Sequence, residues 1–174
     1  MRKKWLALAL SLTMVAGCLT GCGGSDSTTS NTNSGSSSND SAKVETLADG
    51  GGKVLNIYVW NDEFSSRFEK YYPDYDKSTK SIGDVKVNFI QNANEGNNYQ
   101  DKLDAALKAQ DSASADDKVD MFLCEMDYVN KYTNTDKALD VKALGLTDED
   151  MSQMYDYTKQ AATGVDGVLR GVSW

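Results

Sequence analysis

The order of apolar segments after residue 52 is the feature that most constrains the fold. Val54 to Trp60 (VLNIYVW) is nearly all apolar and follows three glycines, which predicts a strand buried on both faces. Val85 to Phe89 and Val119 to Cys124 predict two more strands, and amphipathic helices are predicted between them, over Asp62 to Tyr72 and Asn97 to Gln110. Strands that alternate with helices of this length form a parallel sheet with helices on its faces. The sequence therefore predicts an α/β fold.

The segments around this unit carry weaker signals. A polar loop is expected from Pro73 to Gly83, and Met126 to Tyr132 predicts a short helix. Thr147 and Asp150 resemble a capping box that opens another helix. The face of that helix would consist of Met151, Met154, Tyr155, Thr158 and Ala162. Gly164 to Trp174 has turn glycines and predicts a hairpin or another strand.

The N-terminal part of the chain has no material for a core. Three basic residues at positions 2 to 4 precede the apolar run from Trp5 to Ala16, whose length is typical of a signal peptide rather than of a membrane-spanning helix. Gly23 to Ser41 uses only Gly, Ser, Thr, Asn and Asp, so no apolar surface offsets its ordering entropy. We expect a signal peptide over residues 1–21, a lipidated cysteine and flexible tether over residues 22–52, and one small folded domain over residues 53–174.

The junction between the apolar run and the tether resembles the lipobox of bacterial lipoproteins. In Leu19-Thr20-Gly21-Cys22 the cysteine would take a diacylglycerol and become the new N-terminus. Cys18 ends a second matching stretch and is the alternative lipidation site; Cys22 is preferred because the polar tract starts directly after it. With the long Ser/Asn tether, this resemblance implies a lipid anchor on the extracellular face of the cell membrane of a Gram-positive bacterium.

Composition excludes several classes of function. The chain has no histidine, which excludes Ser-His-Asp and Cys-His nucleophile systems and His-ligated metal sites. Its net charge of −8 repels phosphate backbones, so nucleic acid is not an expected partner. Asp148, Glu149 and Asp150 lack the spacing and glycine of an EF-hand, and we expect no metal site and no cofactor. Cys124 is the one thiol of the predicted domain, which therefore has no internal disulfide.

An ordered set of segments resembles the beginning of the extracellular solute-binding proteins of ABC-type carbohydrate importers. The set includes the lipobox, the tether, and the stretches KVLNIYVWN, KVNFIQ and DKVDMFLCEMDYV. The resemblance implies a periplasmic-binding-protein-like clamp of two α/β lobes that closes on a monosaccharide or oligosaccharide. Such a protein passes its ligand unchanged to the permease subunits of the transporter, and we expect a monomer without catalysis. This chain would be a truncated product that holds most of the first lobe, with the second lobe largely missing.

The geometry of the predicted parallel sheet also indicates a binding site, independently of the resemblance. In a doubly wound sheet, ligands bind beyond the carboxyl ends of the strands, where consecutive connections run in opposite directions. If the three strands take the order 2-1-3, this point lies between the ends of the first and third strands. The candidate residues there are Trp60, Asn61, Asp62, Glu63, Glu125, Met126 and Asp127. Carboxylates accept short hydrogen bonds from sugar hydroxyls, and an aromatic ring packs on a sugar's C–H face, which suits a carbohydrate.

The resemblance adds two assignments to this set. Asp127 is the first choice, because it resembles the acidic residue that family members place just after this strand to hold sugar hydroxyls. Trp174 lies where the family has an aromatic residue near the hinge, although no proline precedes it.

Each candidate also has a structural interpretation. Trp60 ends an apolar strand and would belong to the core, and Asp62 and Asp127 precede predicted helices, where a carboxylate caps free N–H groups. Two other functions stay open beside sugar capture. Glu63, Glu125 and Asp127 could supply the carboxylate pair of a surface-anchored glycoside hydrolase. An adhesion domain without a small ligand is the other alternative.

Overall fold

The computed structural model describes residues 50–174. Its strands are β1 Val54–Val59, β2 Tyr75–Asp76, β3 Ser81–Ile82, β4 Val85–Gln91 and β5 Met121–Phe122, and its helices are α1 Glu63–Tyr71, α2 Asn98–Ala109, α3 Asn130–Thr133 and α4 Asp156–Ala161. The strands form one sheet in the order β2-β3-β4-β1-β5. The predicted α/β class is confirmed. The predicted signal peptide, the tether as far as residue 49, Cys18 and Cys22 lie outside the described residues.

Strand β1 pairs in parallel with β4 on one side and with β5 on the other. Ile57 and Val59 point to one face, where they pack with Phe64 and Phe68 of α1. Tyr58 points to the opposite face and packs against α2, in a cluster around Tyr99, Leu103 and Leu107. The two helices therefore cover opposite faces of the sheet, as the alternation of side chains along a strand requires.

The helices α1 and α2 confirm the predicted periodicity to within a residue or two at each end. Helix α1 ends at Tyr71, ahead of Pro73, which cannot continue it. Its aromatic stripe continues past the helix, because Tyr72 stacks on Phe68 with ring centroids 4.8 Å apart.

The segment expected as a polar loop instead contains a hairpin, so the sheet is mixed rather than wholly parallel. Strand β2 pairs with β3, and β3 pairs with β4, both antiparallel. Tyr75 and Ile82 anchor the hairpin, since both pack on the core beneath α1. The Asp76 carboxylate accepts from the Ser78 backbone N–H at 2.8 Å and closes the turn. Two-residue strands are too short to carry a periodic signal, which is why the sequence predicted a loop.

Strand β4 lies inside the sheet, although the alternation of its apolar residues with Lys86 and Asn88 predicts a strand closer to the edge. Strand β4 has a neighbour on each side, β3 and β1. Its Lys86 and Asn88 are exposed because they point to the face that carries α2, and α2 packs over β1 and β5 instead. The alternation therefore marks an uncovered face and not an edge.

The C-terminal segment is less helical than predicted. The capping box is present: the Asp150 backbone N–H donates to Thr147 Oγ1 at 3.2 Å, and the Thr147 N–H donates to Asp150 Oδ2 at 2.8 Å. Turns follow it, however, and α4 begins only at Asp156. Met151 is buried whereas Tyr155 is exposed, so the apolar spacing did not mark a single buried face.

A tight turn near the C-terminus agrees with the predicted hairpin over Gly164 to Trp174. Thr163 and Leu169 form an antiparallel bridge. Asp166 and Arg170 form a bidentate ion pair, with N–O distances of 2.7 and 2.6 Å. A side chain at Gly164 would lie 2.6 Å from the carbonyl oxygen of Thr133, so only glycine fits at this close approach.

The predicted third strand and the helix after it are both shorter than expected. Only Met121 and Phe122 of β5 pair with β1. The residues just before them are held by hydrogen bonds from side chains and not by backbone pairing between strands. Gln110 makes two of these contacts with Val119, one to its N–H and one to its carbonyl, each at 2.9 Å. Helix α3 starts only at Asn130, after turns at residues 126–129.

Asn56, in the middle of β1, is a polar residue buried to 3% exposure. Its Nδ2 donates to the carbonyl oxygens of Asp116 and Lys118 at 2.8 and 2.9 Å, and its Oδ1 accepts from Asn88 Nδ2 at 2.8 Å. Its backbone N–H donates to Asp120 Oδ2 at 2.8 Å. This single side chain therefore holds the connection that leads into β5.

We expect Asn56→Ala to lower the free energy of unfolding by about 1 to 3 kcal/mol, because it removes a buried side chain and leaves two partly buried carbonyl groups without their donors. Asn88→Ala is the comparison variant: it leaves only the Asn56 Oδ1 without its donor and keeps both bonds from Asn56 Nδ2, so it should cost about 1 kcal/mol and less than Asn56→Ala. Urea titrations of the three proteins measure the difference. Equal stability of the Asn56→Ala variant and the parent would contradict the assignment.

Candidate ligand-binding site

The carboxyl ends of β1, β4 and β5 lie at one edge of the sheet, because the three strands are parallel. The connection through α1 leads from β1 to β4, and the connection through α2 returns across β1 to β5. The two connections thus run in opposite directions from β1, and this is where doubly wound sheets bind ligands.

Five polar residues follow these strand ends, and we call them the strand-end rim: Asn61, Asp62, Asn94, Glu125 and Asp127. One contact spans it directly, from Asn94 Nδ2 to Glu125 Oε2 at 3.2 Å. Backbone bonds hold its base, with Asn92 N donating to the Val59 carbonyl at 2.9 Å and Leu123 N to the Tyr58 carbonyl at 3.0 Å. The loops after β4 and β5 therefore meet beyond the end of β1.

Asn94 was not among the residues predicted from the sequence. It lies in the polar loop after β4, and the carboxyl end of β4 lies at the same edge of the sheet as the carboxyl ends of β1 and β5. Applying the strand-end rule to all three predicted strands, and not only to the first and third, would have found it.

Asn61, Asp62 and Glu63, which follow β1, differ in what their side chains contact. Asn61 Oδ1 accepts from the Glu63 backbone N–H at 3.0 Å and so caps the start of α1. Asp62 occupies the N-cap position, yet its side chain makes no capping bond. Glu63 is paired with Arg67 at 2.8 Å, one helical turn away. The capping interpretation of Asp62 is therefore wrong, and its exposed carboxylate stays available.

Asp127 likewise does not cap a helix. It lies in the turns that precede α3, and the N-cap of α3 is Val129. Its side chain is exposed, and within residues 50–174 its carboxylate has no hydrogen bond or ion pair. Glu125 is also exposed and contacts Asn94. The carboxylates of Glu125 and Asp127 are thus exposed to solvent, and most of their oxygen atoms accept no hydrogen bond from the described residues.

The Cys124 thiol lies beside these two carboxylates. Burial raises the pKa of this thiol to about 12, and the negative charges of Asp127 and Glu125 contribute in the same direction. Burial also raises the pKa of the neighbouring Tyr128 to about 12, and its hydroxyl, among the described residues, has no hydrogen-bond partner. The base of the rim after β5 is therefore apolar, whereas its top is charged.

Trp60 lies below the rim and belongs largely to the core. Its ring meets that of Tyr99 edge to face at 5.4 Å, and it packs against both core clusters. The Tyr99 hydroxyl donates to the Leu123 carbonyl at 2.7 Å and lies 3.2 Å from the Tyr58 carbonyl. Together the two rings support the ends of β1 and β5.

Trp174 packs on α1. Its ring meets that of Phe64 edge to face at 5.3 Å, and the Arg67 guanidinium lies 5.5 Å from its centroid. The side chain is 56% exposed. The structure therefore brings Trp174 close to Glu63, through the shared partner Arg67.

Two concave regions of the described residues lie away from the rim. One, of about 410 Å³, is lined by Lys142, Lys159 and Met151 among others, and both lysines are already paired with aspartates. The other, of about 380 Å³, lies over the uncovered face of β4 beside Asn56 and Asn88. The rim itself is an open surface. It remains the better candidate, because its carboxylates are unpaired whereas the charged groups of the larger hollow neutralise one another.

Comparison with known proteins adds no relative: no family model, no curated protein and no solved structure matches this chain. Between residues 50 and 174 there is no helix with the length and apolar character needed to cross a bilayer. The same part of the chain contains no group of three acidic or cysteine side chains placed to hold a metal ion.

The reactivity of Cys124 reports on the placement of Glu125 and Asp127. We expect slow alkylation of this thiol by iodoacetamide at about pH 8.5, because little thiolate forms that far below its raised pKa. The double variant Glu125→Gln, Asp127→Asn removes two negative charges, lowers the pKa of the thiol and should speed alkylation about threefold or more. Mass spectrometry of the Cys124 peptide measures the rate.

Glu149→Gln is the control for that experiment, since it removes an exposed charge from a different turn and should leave the rate unchanged. An unchanged rate in the double variant would show that the two carboxylates lie too far from Cys124 to form the rim described above.

Proposed function

We propose that this protein is a substrate-binding lipoprotein that captures a carbohydrate at the strand-end rim and delivers it unchanged to an ABC-type permease. The observation that supports this most is the meeting of three parallel strand ends at a rim of exposed carboxylates and amides, joined by the contact from Asn94 to Glu125. Such groups accept hydrogen bonds from sugar hydroxyls. The proposal includes the finer fold assignment, a periplasmic-binding-protein-like lobe with the predicted strands in the order 2-1-3.

Capture without catalysis is favoured over glycoside hydrolysis by the surroundings of the carboxylates. A glycosidase needs one carboxyl group kept protonated near neutral pH, and burial in apolar surroundings is what achieves this. Glu125 and Asp127 are exposed, and Glu63 is paired with Arg67. None of the three has the enclosed surroundings of a general acid, whereas exposed carboxylates are suited to reversible binding.

The proposal extends to the cellular setting. The lipobox-like stretch would place a lipid on Cys22, and the tether would hold a monomeric binding domain near the extracellular face of the membrane. A tether of about 30 residues has a reach of roughly 30 Å as a flexible coil. That reach would let the domain turn toward the permease, which is its expected protein partner.

The binding proposal predicts that Asp127→Ala weakens affinity for the bound glycan about tenfold or more, because a charge-assisted hydrogen bond contributes about 1.5 to 3 kcal/mol. The measurement is calorimetry on a panel of labelled mono- and oligosaccharides, with recovery of the sugar afterwards. Asp74→Ala removes an exposed aspartate near the other end of α1 and should bind as the parent does.

Three results would contradict parts of this proposal. Unchanged affinity of the Asp127→Ala variant would remove Asp127 from the site. Shortened sugar products would show a hydrolase. Absence of binding to every glycan of the panel would leave adhesion as the better account.

The anchor predicts incorporation of an alkynyl palmitate label in a bacterial host that processes lipoproteins. Cys22→Ser should abolish the label, whereas Cys18→Ser should keep it, because modification falls on the cysteine that becomes the N-terminus. The reverse pattern would move the anchor to Cys18. A label retained in the variant that lacks both cysteines would show that neither one carries the lipid.

A further inference from the structure

The face of the sheet on which α2 packs contains a hollow of about 380 Å³ that the helix leaves uncovered, and we call it the β4 hollow. Its lining includes Lys86, Asn88 and Ile90 of β4, Val54 of β1, and Asp116 of the connection into β5. Val54 and Ile90 are only half-buried. In the part of the chain that the structure describes, some of the apolar surface of the sheet therefore stays in contact with solvent.

The buried polar side chain that lines this hollow, Asn56, has no donor left for a ligand. Its Nδ2 donates to the carbonyl oxygens of Asp116 and Lys118, and its Oδ1 accepts from Asn88. A small polar ligand is oriented by a few polar groups placed for it inside its pocket. Because these groups already bond to one another, the hollow is better suited to a segment of chain held by apolar contacts.

Lys86 gives the β4 hollow a positive charge. Its side chain is exposed, and between residues 50 and 174 its ammonium group has no hydrogen bond or ion pair. Asp116 and Asp117 place negative charges on the opposite strand connection, and both line the hollow. A covering segment that carries charges of both signs would therefore complement this surface.

The chain enters β1 along the wall of the same hollow. The Lys53 backbone N–H donates to Asp116 Oδ1, and a side chain at Gly52 would lie 3.1 Å from the carbonyl oxygen of Ala115. Gly51 has a φ of 72°, a left-handed conformation that glycine adopts readily and that redirects the chain. The residues that precede this turn are therefore attached beside the hollow.

Those residues, 42–49 (AKVETLAD), lie outside the described part of the chain, and their composition differs from that of the tether before them. Residues 23–41 contain no apolar side chain, whereas Val44 and Leu47 are apolar. Eight residues reach at most about 26 Å, slightly more than the length of about 23 Å expected of a seven-residue strand such as β4. The segment is thus long enough to run along the hollow.

We propose that residues 42–49 cover the β4 hollow, with Val44 and Leu47 on its apolar side chains and with Glu45 or Asp49 paired with Lys86. Burial of the two apolar side chains supplies a driving force that the composition of the tether lacks. The folded domain then begins at residue 42, and the free tether ends there instead of at residue 52. The inference is independent of the proposed function.

The test places a photoreactive side chain in the hollow. Ile90→p-benzoylphenylalanine is introduced into the full chain, and an equal mixture of unlabelled and ¹⁵N-labelled protein is irradiated. Mass spectrometry identifies the cross-linked peptides, and we expect position 90 to be joined to residues 42–49 of the same copy. Lys108→p-benzoylphenylalanine is the matched control, because Lys108 is exposed on α2 and is not part of the hollow.

A double variant measures the contribution of the apolar side chains. Val44→Ser with Leu47→Ser alters only residues that precede the described domain, and it should lower the cross-link yield about threefold or more, since the apolar burial is lost. Thr46→Ser is the matched control within the same segment and should keep the yield.

Acetylation of lysine amines tests the proposal without any substitution in the sheet. The Lys86 amine should react about threefold faster in the Val44→Ser, Leu47→Ser variant than in the parent chain, because its cover is lost. The Lys108 amine should react at the same rate in both. This measurement decides the question even if the Ile90 variant does not fold.

Three results would overturn the proposal. Cross-links that join differently labelled copies would show that a second copy of the chain occupies this face. A folded Ile90 variant that forms no cross-link to residues 42–49 would show that the segment does not lie there. Equal acetylation of Lys86 in the parent and the double variant would show that the segment does not cover it. None of these results bears on carbohydrate binding at the strand-end rim.

Discussion

The burial of β1 on both faces is the constraint on which the rest of the structure depends. Its apolar side chains pack against α1 on one face and α2 on the other, and Asn56 in the middle of the strand is left almost without access to solvent. Asn56 must therefore find all its partners inside the protein, and it finds them in the backbone between residues 116 and 118 and in Asn88. Satisfying this one amide holds the connection that enters β5, and so places β5 beside β1.

The candidate site is a consequence of that placement. Because β5 is parallel to β1, the turn after β5 places Glu125 and Asp127 at the same end of the sheet as Asn61 and Asp62, which follow β1. The Tyr99 hydroxyl binds the Leu123 carbonyl beneath the rim, and the Trp60 ring packs on Tyr99. Exposed carboxylates on a packed base retain their hydration in the free protein, so their presence at this end of the sheet costs little.

Long, strongly periodic segments were predictable and short ones were not. The apolar run of β1 and the aromatic spacing of α1 reflect burial along a whole element, so local sequence carries the signal. The hairpin β2–β3 depends on two side chains, Tyr75 and Ile82, reaching a core formed by distant residues. Turns replace the predicted helix after Thr147, and burial there does not follow the helical spacing: Met151 is buried whereas Tyr155 is exposed.

The sequence by itself determined which polar residues follow the ends of the predicted strands and what charge they carry, because both are properties of residue order. Only the tertiary structure decided that Asn94 meets Glu125, that Trp60 belongs to the core beneath the rim, and that Trp174 packs on α1. Asn94 and Glu125, for example, are 31 residues apart in the chain. Such contacts produce no periodic pattern in the sequence, because they depend on how the strands pair and how the helices pack on the sheet.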